Sequence, residues 1–159
     1  MNKSFGFKTS FFALVFLMLC GQNSFAVERN TSAGLMQVCL KQAAQKETAN
    51  SRDNAKIVCL KNFSSQLNTS KCLSIAKGMA YFSNSNKAKL ICGTELADMT
   101  PKKCLSIARD ITYSETSDEL KWTCIQRFKG EMSQRQCAEL AKDLSLIPLQ
   151  NRALEYCTY

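Results

Sequence analysis

KCLSIAKGMAYFSNSNKAKLIC, residues 71–92, carries the pattern from which the fold follows. Cys72 opens an apolar series at Leu73, Ile75, Ala76 and Met79, which keeps to one face of an α-helix. A polar break, Ser83 to Asn86, interrupts it. Ala88, Leu90, Ile91 and Leu96 then mark a second helical face around Cys92. The same C-x19-C unit recurs at Cys39–Cys59, Cys104–Cys124 and Cys137–Cys157, with opening cysteines 33, 32 and 33 residues apart.

The third unit repeats the scheme position by position. Thr100 and Pro101 read as N-cap and first helical residue, because proline lacks the N–H that would go unpaired there. Leu105, Ile107, Ala108 and Ile111 form the first face, the pattern breaks over Tyr113 to Thr116, and Ser117 or Asp118 is expected to cap a second helix. Gly130 is expected to end that helix in a left-handed conformation. Asn68 and Ser133 are the corresponding caps in the second and fourth units, and the fourth turns near Pro148. The first unit is the most polar, with Gln42, Lys46 and Glu47 at offsets that are apolar elsewhere.

A fixed period near 33 residues with polar or truncated end units implies an all-α fold of four antiparallel helical hairpins. They are expected to stack as a short α/α solenoid, the alternative being a compact bundle of the same helices. The repeats fall at about residues 33–66, 67–98, 99–131 and 132–159. In architecture, though not in motif, this period resembles tetratricopeptide and Sel1-like repeats. The Trp-Leu-Gly-Tyr pattern of the first is missing, as are the closer cysteines and fixed glycines of the second. No family is assigned, and no functional residues carry over.

Residues 1–26 read as a secretory signal peptide. Lys3 and Lys8 precede an apolar run from Phe11 to Cys20, and Ser24-Phe25-Ala26 places small residues before a cleavage point. The run is too short to span a bilayer, which takes about 20 residues, and no transmembrane segment is expected after cleavage. Removing Lys3 and Lys8 leaves a single domain, residues 27–159, with 19 basic and 13 acidic residues, net charge +6 and eight of the nine cysteines.

An even cysteine count in an exported chain points to disulfides. Metal is disfavoured because the chain has no histidine, no C-x2-C pair and no two cysteines closer than twelve residues. Redox catalysis would want a C-x-x-C pair, also missing. Residues equally far from a hairpin turn lie side by side, so pairing within each unit is expected; Cys39, Cys59, Cys72, Cys92, Cys104, Cys124, Cys137 and Cys157 are then all used. Pairing neighbours across the linkers would strand Cys39 and Cys157.

Four sets of recurrent residues bear on function. Lys56, Lys89 and Lys121 stand three before the closing cysteine, and Lys77, Arg109 and Lys142 five after the opening one. In a stacked array both sets could line up as basic stripes for an acidic protein or an anionic envelope component; otherwise they are a solvated face. Asp53, Asn86, Asp118 and Asn151, six before the closing cysteine, read as helix-capping groups rather than a cation ladder. Tyr81 and Tyr113 share an offset just before the break and, with Trp122, read as core or hairpin packing groups, the alternative being a binding patch near the turn.

The function expected is therefore a non-enzymatic binding or scaffold protein in the periplasm or outside the cell, with no cofactor and no nucleic-acid partner. Histidine, the commonest general base, is absent. Two alternatives compete: an envelope glycan hydrolase using Glu115, Asp118 and Glu119, and a cationic membrane-active protein.

Overall fold

A computed structural model describes residues Ser32–Tyr159, and the segment assigned as a signal peptide lies outside them. Eight α-helices and no strands occur among the described residues. In order they are α1 (Ser32–Ala44), α2 (Ala49–Asn62), α3 (Thr69–Lys77), α4 (Phe82–Glu95), α5 (Pro101–Arg109), α6 (Ser114–Phe128), α7 (Gln134–Lys142) and α8 (Ile147–Thr158). They pair as four hairpins, each with a first and a second helix.

The disulfides join Cys39–Cys59, Cys72–Cys92, Cys104–Cys124 and Cys137–Cys157, each tying the two helices of one hairpin. The Cα atoms lie 5.6–5.9 Å apart, within the span a disulfide bridges. The alanine four residues after each opening cysteine, Ala43, Ala76, Ala108 and Ala141, is fully buried and lets the helices approach closely.

The second helices carry the junctions. α2 lies against α4, α4 against α6, and α6 against α8, while α4 and α6 also touch the first helix of the hairpin that follows. The principal core runs from Met36 through Leu60, Leu96 and Leu120 to Phe128, and a smaller cluster around Ile125, Leu140, Leu144 and Ala153 holds the fourth hairpin.

The first helices begin where the capping residues stand. Asn68 and Thr100 accept from the N–H groups of Lys71 and Lys103, and Ser133 with Gln136 forms a complete capping box. The second helices begin earlier than the polar breaks suggest. Ser83–Asn86 and Ser114–Thr116 are helical, so the turns shrink to the residues just before Phe82 and Ser114. Asp118 does not cap its own helix, whose N-cap is Tyr113 with no side-chain hydrogen bond. Ser117 donates instead to the Ala108 carbonyl at the end of α5. Gly130 lies in a 3-10 turn, Lys129–Glu131, and no described glycine has positive φ. For α4 the physical reason for the early start is that its capping acceptor comes from the neighbouring hairpin, as it does for α8; α6 starts without any side-chain cap.

Candidate interaction surface

Asp53, in α2, is 1% exposed, and its Oδ2 accepts from the N–H groups of Ala80 (2.9 Å) and Tyr81 (3.0 Å), where α4 begins. Asp118, in α6, is fully buried, and its Oδ2 accepts from Ser145 (2.7 Å) and Leu146 (2.8 Å), where α8 begins. A buried carboxylate thus meets the positive end of a helix dipole and satisfies two amides the helix cannot pair itself.

Three residues further along, the lysines perform the complementary task. Lys56 donates to the Gly78 carbonyl (2.8 Å), Lys89 to that of Asp110 (2.6 Å) and Lys121 to that of Asp143 (2.5 Å). Those carbonyls belong to the C-caps of α3, α5 and α7, the negative ends of the first helices. Lys89 also pairs with the Asp110 carboxylate at 3.0 Å, and Lys121 sits 3.7 Å from Asp118 and 3.5 Å from Asp143. Each of the three lysines therefore clamps the turn of the following hairpin, joined at the first and third junctions by the Asp three residues before it.

The two ends of the series differ as this logic requires. The first hairpin has no predecessor, and Thr48 caps α2 itself by accepting from Ser51 N–H (3.1 Å). Arg52 donates to the Lys46 and Glu47 carbonyls at the end of that turn, both at 3.0 Å. In the last hairpin Asn151 is exposed and Leu154 occupies the place of the lysine, packed on the small cluster.

The middle junction has an amide where its neighbours have carboxylates. Asn86 is 2% exposed, and its Nδ2 has no hydrogen-bond partner.

This clamp changes what the turn residues must do. Tyr81, Tyr113 and Leu146 occupy N-cap positions, where Ser, Thr, Asp or Asn would ordinarily stand. All three are exposed, as are Phe82 (78%) and Ile147 (67%) beside them. These five make up half of the ten large exposed apolar side chains of the described residues, so exposure concentrates on one edge. Of the two readings of the tyrosines, burial by packing does not hold, since about half of each side chain is exposed at the turn.

Lys77, Arg109 and Lys142 end α3, α5 and α7 on the same edge and are exposed. Arg109 faces the Asp143 carboxylate at 3.6 Å. Lys77 and Lys142 make no ion pair or side-chain hydrogen bond among the described residues. Arg109 lines two open clefts of about 430 and 420 Å³, which separate α3 from α5 and α5 from α7.

The remaining candidates are placed elsewhere. Trp122 and Tyr156 pack edge to face at 5.4 Å between α6 and α8, with Arg152 over the indole and Lys129 over the phenol. Glu115 and Glu119 are exposed on α6, whereas Asp118 is buried and bound to the start of α8, so the three acids do not converge on a cleft. No helix among the described residues is long and apolar enough to cross a membrane.

The turn-edge residues could have been suspected from sequence, since large apolar groups at N-cap offsets are unusual, but the distant Asp that serves the helix starts at Tyr81 and Leu146 is invisible without the junction. No protein-family model matches the chain, and neither the curated proteins nor the solved structures contain a significant match.

Proposed function

We propose that the chain is an exported, non-enzymatic scaffold. Its four disulfide-tied hairpins stack in register as a short α/α solenoid and bind an envelope component through the turn edge. One observation carries this reading: the clamp of each hairpin on the next leaves apolar side chains and unpaired cations exposed at successive turns. Lys56, Lys89 and Lys121 serve the surface by fixing the turns relative to one another, while Lys77, Arg109 and Lys142 are its cationic contacts. Export accords with four disulfides, which an oxidising compartment maintains, and with the signal-like N-terminal segment.

The test is retention of a washed envelope fraction from the producing organism on the immobilised, oxidised protein. Retention should weaken with salt and disappear in a Phe82→Ser, Tyr113→Ser, Ile147→Ser triple variant. Retention of nothing, or retention indifferent to those changes, would defeat the proposal.

A further inference from the structure

The turn edge combines two chemistries that one class of surface satisfies together. Phe82 and Ile147 project furthest into solvent, flanked by Tyr81, Tyr113 and Leu146. Beside them Lys77, Arg109 and Lys142 recur, one at the end of each first helix from the second hairpin onward. Of the acids at the same turns, Asp110 and Asp143 are already engaged by Lys89 and Lys121, and only Glu115, exposed at the start of α6, stands unpaired against Lys77, Arg109 and Lys142, so the edge keeps a positive balance. A second copy of the chain would bring cations against cations. An anionic surface answers the charge, and only one with an apolar layer beneath its charges also receives phenylalanine and isoleucine.

We propose that the turn edge docks on an anionic phospholipid bilayer. Phe82 and Ile147 insert below the headgroups, the tyrosines lie at the interface, and Lys77, Arg109 and Lys142 meet the phosphates. Exposed aromatic and aliphatic groups beside cations give interfacial binding by adding apolar burial to attraction for acidic lipid. The same pair of features repeats from turn to turn, which suits a laterally uniform surface better than a single irregular protein. The association is peripheral, since no described helix is long and apolar enough to span. This inference rests on the scaffold reading above and names what its edge meets.

Co-sedimentation of the oxidised protein with vesicles tests it, comparing phosphatidylglycerol-containing vesicles with phosphatidylcholine alone. Binding should be confined to the anionic vesicles and weaken with salt. Phe82→Ser with Ile147→Ser should lower affinity about tenfold or more, and Lys77→Ala or Lys142→Ala about fivefold each. Val58→Ser removes an apolar side chain that is 54% exposed but lies away from the turns, and should change nothing. Melting temperatures equal to that of the parent protein show that the variants are folded.

Equal binding to both vesicle types, binding that survives loss of Phe82 and Ile147, or equal sensitivity to Val58→Ser overturns the lipid proposal. If vesicles fail while envelope retention stays dependent on the edge, the lipid is wrong and the scaffold reading holds. If both fail, both fall.

Discussion

Gly93 shows how tightly the junctions are matched at the level of single residues. A Cβ built there would lie 2.5 and 2.7 Å from the Leu120 methyl carbons, and Leu120 is fully buried. The positions equivalent to Gly93 and Leu120 at the other junctions hold Leu60 with Ala88 and Ile125 with Ala153, all buried. Each junction thus pairs one large residue with one small one, and the middle junction reverses the order. Gly93→Ala should lower stability by about 1–3 kcal/mol, the usual cost of overpacking. Leu120→Ala should cost less in the Gly93→Ala background than in the parent protein, because the clash is relieved, and denaturant melts of the single and double variants check this coupling. Asn86 supplies a second test. Asn86→Asp would remove the orphaned Nδ2 donor and give the middle junction the carboxylate that Asp53 and Asp118 provide elsewhere, with Lys89 nearby. It should raise stability by about 1 kcal/mol; a lower melting temperature would contradict the clamp.

Among elements, the contrast between the first turn and the last is the informative one. Thr48→Ala removes a local cap and should cost about 1 kcal/mol. Asp118→Ala removes a buried acceptor for two amides and leaves the largely buried Lys121 without that carboxylate. It should therefore cost about 3 kcal/mol, with the start of α8 exchanging its amide hydrogens faster. Equal costs for the two would mean that junctions contribute no more than isolated caps.

The linker between α4 and α5 adds a pH-dependent tie. Asp98 accepts from the Thr69 N–H (3.1 Å) and hydroxyl (2.9 Å) at the start of α3, and from the Lys103 ammonium (3.1 Å). Burial pulls its carboxyl upward, but these hydrogen bonds and the Lys103 charge outweigh it and hold the carboxyl below its ordinary value. A depressed carboxylate stabilises the fold at neutral pH. That contribution begins to fade as pH falls to about 4, the unfolded value, and is lost as pH drops through the folded one. Asp98→Asn should flatten the acid limb of a stability–pH curve, modestly, because the side chain is 39% exposed.

For the whole molecule, stability depends on the bridges more than on any single helix. First helices of nine residues are marginal alone. Closing a loop of about 20 residues contributes roughly 3 kcal/mol in the chain-entropy model. Four bridges together rival the whole stability of an ordinary domain, so full reduction should unfold the protein at room temperature, as loss of helical circular dichroism would show. Replacing Cys137 and Cys157 by serine should be milder. The fourth hairpin has its own small cluster, so hydrogen exchange should rise in α7 and α8 while α2, α4 and α6 stay protected. Uniform loss of protection would mean that the hairpins unfold as one unit.

Much of this was legible from residue spacing. The helical periodicity, the four C-x19-C units and the caps at Asn68, Thr100 and Ser133 are local properties, governed by which residues face one side of a helix and which can pair a free N–H. The exported class rests on the same kind of reading, from an N-terminal segment outside the described residues. Only the tertiary structure decided what Asp53, Asp118 and the three lysines do, because their partners lie 21–28 residues away in another hairpin. It also decided that the second helices begin early and that Tyr81 and Tyr113 face solvent. A helix end can be satisfied by its own residues or by a neighbour's, and spacing along the chain does not distinguish the two; that choice is made when hairpins meet.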